Sequence, residues 1–395
     1  MGNKFCALNP RNCNYSITFK DTNENLTFYL TYFQSFTESI FTSFYNFPLI
    51  EVQPPEFIKW GKTPKSKKSF PPKDFSESKT VYPVPLVESI FQPEFKNQKQ
   101  TSVPKFETVE LIAKGAFGKV YKVKDVNSQN TYAMKILQKS QIIEENAVDQ
   151  VKDELSIQKM CGYHQFIVKC LFAWQTRSQL FIVSDYKVGG ELLNIIARYA
   201  PLSEEITRIY AAELALALDF LHHAGVIYRD LKPENILLDE NGHICLTDFG
   251  LSKWLKLGAR TNTICGTIDY IAPEILRNES YTHAVDWWSL GIVLCRLLTN
   301  EYPVRNDNSV ELPSSVELSA ASKDLLKRLL EYDPSKRLRA LYAMKRIAFF
   351  KDFSFDDVVS RRIHPVEMLQ EYEHEKHDDE SLKQALFENF HHENS

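Results

Sequence analysis

No stretch of the 395-residue sequence is apolar for long enough to cross a bilayer, and no hydrophobic segment follows a basic start. Neither a membrane-spanning helix nor a secretory leader is therefore expected. Paired cysteines are missing as well. The seven cysteines run from Cys6 to Cys295 without a Cys-x-x-Cys pair, which argues against a disulfide framework and a structural zinc site. Charge of one sign is not in excess: 47 lysines and arginines against 51 acids leave −4, and bulk nucleic-acid binding usually needs a basic surplus. No nucleic-acid partner is expected, no internal repeat is visible, and the chain is expected in the cytoplasm.

What is present is ordinary globular material. Hydrophobic residues at 44% and charged residues at 25% allow a sizeable core. Length alone suggests two or three folding units, on a prior of about 150 residues each. Residues 1–100 stand apart. Residues 15–57 are rich in Phe, Tyr, Ser, Thr and Asn without a sustained period, and "KWGKTPKSKKSFPPK" (Lys59–Lys73) mixes lysine with proline and serine. An extension that is largely disordered or linker is expected there. From Thr101, "FETVELIAKGAFGKVYKVKDVNSQNTYAMKIL" alternates apolar and polar residues around turn signals, the pattern of successive antiparallel strands. From Ser203, "SEEITRIYAAELALALDFLHHAG" opens on an N-cap serine, carries acids in its first turn and ends near Gly225, as a helix should. Strands followed by helices predict an α+β architecture of two lobes.

One glycine is conspicuously absent. "LIAKGAFGKVYKV" (Leu111–Val123) has Gly115 and Gly118, but Ala113 stands two residues before Gly115, where a nucleotide-binding loop usually has its first glycine. Glycines let backbone N–H groups come close to phosphates, yet a Gly-x-x-Gly turn alone is weak evidence. Stronger signals follow. "YAMK" places Lys135 20 residues after Gly115. "YRDLKPENILLD" (Tyr228–Asp239) precedes "TDFG" (Thr247–Gly250), with 18 residues from Asp230 to Asp248, and "GTIDYIAPE" (Gly266–Glu274) comes next. Their joint order and spacing resemble the protein-kinase signature set.

That resemblance implies a bilobal eukaryotic protein kinase fold with a small β-rich lobe and a large helical lobe. It also implies phosphoryl transfer from ATP with Mg²⁺, which needs charge neutralisation and an in-line hydroxyl. Lys135 would hold the α- and β-phosphates, with Glu154 as its carboxylate partner. Asn235 and Asp248 would ligate the metal as hard oxygen donors. Asp230 would accept the hydroxyl proton, and Lys232 would neutralise charge on the transferred group. The ATP site would comprise Ile112, Ala113, Lys114, Gly115, Ala116, Phe117, Gly118, Lys119 and Val120 of the loop, with Ala133, Lys135, Asp185, Tyr186 and Leu237 beyond it.

Residues from about Phe106 to Phe350 look like the AGC group of Ser/Thr kinases, most of all the ribosomal-protein-S6 kinases and S6-kinase-related proteins. "YRDLKPEN", "ICGTIDYIAPEIL" and "VDWWSLGIVL" carry the likeness. It implies a kinase domain over 106–350, divided into small (106–186) and large (187–350) lobes, with a C-terminal AGC-like tail over 351–395. Thr263 falls on the activation-loop phosphosite, implying an upstream activating kinase. Asp286 matches the acid that braces the catalytic loop, and Glu274 with Arg337 a buried ion pair. Glu191 and Glu234 match acids that receive an upstream arginine of a protein substrate, and Thr267 matches Ser/Thr specificity at the substrate site.

Four departures stand beside it. Arg296 replaces a usual acid near the acceptor, and the segment from Asn300 to Ser319 is shorter than the family's helix-bearing insert. Ser184 takes the gatekeeper position, where a deeper pocket behind adenine is expected. The tail "FENF" (Phe387–Phe390) is a candidate for docking on the small lobe but lacks a residue to phosphorylate. "FKDFSF" (Phe350–Phe355) resembles a hydrophobic motif, with structural packing the favoured reading. "MGNKFC" offers Gly2 and Cys6 for lipidation and so a membrane surface as a partner; an unmodified tail is the equal alternative. Two other readings of the whole chain remain at this point: a kinase-fold scaffold with little turnover, membrane-tethered or not, and a small-molecule kinase. The long segment from Asp248 to Glu274 weighs against the latter.

Overall fold

The structure, a computed structural model, describes residues 86–98, 102–256 and 258–372. The first elements are a short helix α1 (Leu86–Ser89) and strand β1 (Lys96–Asn97). The alternating stretch then forms β2 (Phe106–Lys114), β3 (Gly118–Asp125) and β4 (Thr131–Gln138), as its pattern predicts. At the β3–β4 turn the Asp125 carboxylate accepts from the Asn127 N–H and the Ser128 hydroxyl, and Gln129 adopts φ +59°. Helices α2 (Lys139–Glu144) and α3 (Val148–Cys161) follow, then β5 (Cys170–Gln175) and β6 (Gln179–Asp185). The six strands lie in the order β1–β5–β6–β4–β3–β2, with α3 behind them carrying Val151 and Leu155 into the core.

The expectation that residues 1–100 are disordered or linker needs correction for their last part. Phe91 and Phe95 are fully buried in the same core cluster as α3, and β1 pairs in parallel with β5. Two phenylalanines spaced four apart gave no period long enough to read as structure. Gly2, Cys6 and the lysine-rich stretch lie outside the described residues, as does "FENF".

Beyond β6 the chain turns helical. The two-residue strand β7 (Gly190–Glu191) leads to α4 (Leu192–Tyr199) and α5 (Glu204–His223). The Ser203 hydroxyl caps α5 by accepting from the Ile206 N–H, and Gly225, at φ +75°, turns the chain after it. Short strands β8 (Val226–Ile227), β9 (Ile236–Leu238), β10 (Ile244–Leu246) and β11 (Lys253–Trp254) carry the catalytic-type motifs; β8 pairs with β11, and β9 lies between β7 and β10. After α6 (Pro273–Leu276), helix α7 (Ala284–Thr299) runs through the lobe with every residue buried except Arg296. A helix apolar on all sides belongs at the centre of a lobe. The shortened segment is a hairpin, β12 (Val304–Arg305) with β13 (Val310–Glu311), and contains no helix. Helices α8 (Ala320–Leu329), α9 (Leu341–Met344) and α10 (Phe355–Val359) complete the lobe. Phe350, Phe353 and Phe355 of the "FKDFSF" stretch pack on one another. Residues 365–372 are helical, and Tyr372 donates its hydroxyl to the Pro201 carbonyl.

Candidate active site

Lys135 projects from β4 and forms an ion pair with Glu154 of α3, while its Nζ lies 3.5 Å from Asp248 Oδ1. Burial favours a neutral amine here, but the carboxylates of Glu154 and Asp248 outweigh it and hold the lysine pKa above its ordinary value. Lys135 is thus a fixed cation, at the place where a polyanion would need one. Glu154 is nearly inaccessible, so the pair depends on where α3 sits.

The loop between β2 and β3 closes with the Gly115 N–H donating to the Gly118 carbonyl at 2.8 Å. Its two glycines serve different ends. A Cβ on Gly118 would lie 1.8 Å from the Ile136 carbonyl oxygen, so this glycine is demanded by the neighbouring strand. At Gly115 an added Cβ would meet nothing nearer than 3.9 Å, so the space over this turn is open. Ala113 stays in the ladder opposite Val120, and the register slips between Leu111 and Ala113, giving Ile112 the extra place of a bulge. Ile112 is left exposed to 45% beside the opening, as an apolar residue that roofs a ligand would be. Lys114, Ala116 and Lys119 are exposed in the same turn, and Phe117 packs inward against the small-lobe core. Ala133 pairs with Ser184, and Leu237 with Glu191, on the two sides of the segment Asp185–Tyr186 that joins the lobes. Ser184 has a side-chain partner on α3. Gln158 of α3 donates its side-chain amide to the Ser184 hydroxyl at 3.1 Å and to the Val168 carbonyl at 3.3 Å.

Below the opening, Asp230 is held from three directions. Asn235 donates to its backbone carbonyl and its Oδ2 at 2.9 and 2.8 Å, Thr267 donates to Oδ1 at 3.0 Å, and Lys232 lies 3.1 Å from Oδ2. Lys232 also donates to the Thr267 hydroxyl at 2.7 Å. Thr267, expected at the substrate site, is therefore a direct partner of the candidate base. The turn that presents Asp230 contains Arg229 at φ +69°, a left-handed conformation that costs a non-glycine residue roughly 1–3 kcal/mol. Fully buried Asp286 compensates by accepting from the Tyr228 and Arg229 N–H groups at 2.9 and 2.8 Å and from His222 Nε2 at 2.8 Å. Burial raises the pKa of Asp286, but these hydrogen bonds and His222 outweigh it and leave the value lowered. Asp248 is also left-handed, at φ +55°.

Asn235 and Asp248 suit a hard cation. With both amide hydrogens given to Asp230, Asn235 has only its carbonyl oxygen left to offer. Asp248 stands next to Thr247, whose N–H donates to the Asn235 backbone carbonyl at 3.0 Å. Among the described residues no group of three or more His, Cys, Asp or Glu could form a metal cage. Magnesium needs none, since it takes one or two protein oxygens and completes its shell with phosphates and water.

Around the site, Tyr281 links two expected residues. Arg229 Nη1 donates to the Tyr281 hydroxyl at 3.3 Å, and that hydroxyl donates to the Thr263 carbonyl at 2.6 Å. Arg229 does not meet the Thr263 side chain itself. Glu191 has a raised pKa, through burial and then the nearby Glu234 carboxylate, so the two acids share one region. Buried Glu234 Oε2 has no hydrogen-bond partner. Arg296 stacks its guanidinium 4.4 Å from the Tyr302 ring centre, with its Nε unpartnered. The Tyr302 hydroxyl meets that of Tyr270, which feels the charges of both Arg296 and Glu234. Arg337 and Glu274 form a buried, two-point ion pair at 2.7 and 2.9 Å. None of the five described cysteines forms a disulfide.

Two lobes joined at Asp185–Tyr186, a lysine–glutamate pair above and a braced aspartate below define the protein kinase class. The chain belongs to the protein kinase domain family, whose pattern it matches over residues 106–349. Its likeness within that family is to AGC-type Ser/Thr kinases. It is 39% identical over 281 residues to a RAC family serine/threonine-protein kinase homologue of Dictyostelium discoideum, covering 68% of this chain and 63% of that one. It is 37% identical over 302 residues to the ribosomal protein S6 kinase-related protein of Homo sapiens, covering 73% and 72%. The serine/threonine-protein kinase Sgk1 of Xenopus tropicalis is 37% identical over 273 residues, covering 66% and 65%. The chain thus spans about two thirds of the length of these relatives.

Proposed function

We propose that this protein is a Ser/Thr protein kinase that transfers the γ-phosphoryl group of ATP to serine and threonine hydroxyls of protein substrates. The observation that carries this reading is Asp230, immobilised by Asn235, Lys232 and Thr267 opposite a formed Lys135–Glu154 pair. In the transfer, a bond forms between the substrate oxygen and the γ-phosphorus while the bond to the bridging oxygen of ADP breaks. Asp230 takes the hydroxyl proton, Lys232 faces the charge on the moving group, and Lys135 holds the α- and β-phosphates. Asn235 and Asp248 would hold Mg²⁺, which would supply further neutralisation of the phosphates.

The same reading covers regulation and substrate choice. A phosphate on Thr263, added by an upstream kinase, would bring nearly two negative charges beside the Tyr281–Arg229 link and tighten the segment onto the catalytic loop. Glu191 and Glu234 would receive a basic side chain before the acceptor. Cytoplasmic location with lipidation at Gly2 or Cys6 is a further part of it, checked by myristate and palmitate labelling of wild type, Gly2→Ala and Cys6→Ser.

The deciding experiment is phosphate transfer from ATP·Mg²⁺ to a panel of serine, threonine and tyrosine peptides with varied basic residues. Wild type runs beside Asp230→Asn and Lys135→Met, with Thr263 phosphorylated and not. Transfer to serine and threonine that both substitutions abolish is expected. Nucleotide binding without transfer by the Thr263-phosphorylated protein would overturn the reading in favour of a scaffold.

A further inference from the structure

Residues 86–97 do not merely precede the small lobe; they pack against its helix α3. Phe91 and Phe95 are fully buried and meet edge to face, with ring centres 6.5 Å apart. They lie in one cluster with Val151 and Leu155 of α3, Ile142 of α2 and Leu180 of β6. Three lysines fasten the backbone around them. Lys152 of α3 donates to the Gln92 carbonyl and pairs with Glu94, both at 3.1 Å. Lys159 of α3 donates to the Glu94 carbonyl at 3.1 Å. Lys139 of α2 is buried and donates to Gln175, whose amide in turn holds the Glu88 and Phe95 carbonyls.

Glu154 sits on α3 between these attachment points, three residues after Val151 and one before Leu155. One side of the helix therefore meets the phenylalanines while Glu154 reaches Lys135. Gln150 and Gln158 tie α3 to Gly250, Val168 and Ser184, so emptying the phenylalanine cluster should loosen the helix where it carries Glu154 rather than release it whole.

We propose that residues 86–97 act as an intramolecular strap whose Phe91 and Phe95 position α3, and through it the Glu154–Lys135 pair, so that the N-terminal extension switches the site on. They are positioning residues and touch neither substrate. The activity arm of the test rests on the kinase reading above; the exchange arm does not.

The experiment uses the full chain as wild type, Phe91→Ala/Phe95→Ala and Lys152→Ala/Lys159→Ala. Amide hydrogen exchange is followed in residues 148–161 (α3) and 284–299 (α7), alongside kcat and the KM for ATP. A synthetic peptide spanning residues 86–98 is added to the phenylalanine variant. Expected are faster exchange in α3 with α7 unchanged, kcat lower by about tenfold or more, and partial recovery of both with the peptide but not with its Phe→Ala version. Unchanged α3 exchange, or α3 and α7 loosened alike, overturns the proposal. So does an α3 that loosens while kcat stays at the wild-type level. Should the phenylalanine variant fail to fold, the lysine variant decides on the same exchange and kcat criteria. An inactive wild type would count against the kinase reading, and α3 exchange would still decide the strap.

Discussion

The Thr267 hydroxyl donates to Asp230 Oδ1 at 3.0 Å and accepts from Lys232 at 2.7 Å, tying the activation segment to the catalytic loop through one side chain. Thr267→Ala should therefore cut kcat by about tenfold or more with little change in the KM for ATP, a loss of about 1.4 kcal/mol per factor of ten. Thr267→Ser keeps the hydroxyl and should restore most of the rate. Steady-state kinetics on one serine peptide checks both.

The two glycines of the β2–β3 turn should fail differently. Gly118→Ala puts a methyl into the Ile136 carbonyl and should destabilise the fold by about 1–3 kcal/mol, seen as a lower Tm. Gly115→Ala has room, so it should leave Tm nearly unchanged and raise the KM for ATP. Equal Tm losses in the two variants would contradict the assignment.

Arg296 is the one residue of α7 that is not buried, and its charge reaches the Tyr270 region that also feels Glu234. Arg296→Glu should raise the preference for peptides with an arginine shortly before the acceptor by about tenfold in kcat/KM, a charge-reversal effect of the size seen for interacting ion pairs. The measurement is the ratio of kcat/KM for arginine and alanine peptides, with and without the substitution.

Stability should fall as acid is added. His164 and His283 have pKa values lowered to about 4 from 6.5, by burial first and then by Arg361 and His222 respectively. Between about 4 and 6.5 the unfolded chain binds more protons than the folded one, so stability rises with pH across that window and is complete above it. Each histidine contributes a slope of at most about 1.4 kcal/mol per pH unit. Denaturant midpoints measured from pH 4 to 7 should show this slope, and His164→Gln should flatten it.

Buried Cys161, Cys245 and Cys295 and half-buried Cys170 should resist alkylation. Burial pushes Cys161 up to about 12 and Cys170, Cys245 and Cys295 to about 11. At pH 7.5 to 8, iodoacetamide should modify these four far more slowly in the folded protein than in denaturant, since the thiolate is the reactive form. Mass spectrometry of tryptic peptides reads the difference residue by residue.

Features written in adjacent residues could be read before any fold was known. The α5 helix follows from Ser203, its periodic face and Gly225; the β2–β4 strands follow from alternation. The candidate site is legible because its residues come in short motifs of demanding spacing. Relations between distant residues emerge only once the chain is folded. Gly118 is required by the close approach of Ile136; Thr267 serves Asp230; Gln158 bonds to Ser184; Phe91 and Phe95 turn an apparent linker into part of the core. Each of these is set by which surfaces meet once the chain is folded, and two side chains of complementary shape or charge leave no local period when dozens of residues separate them.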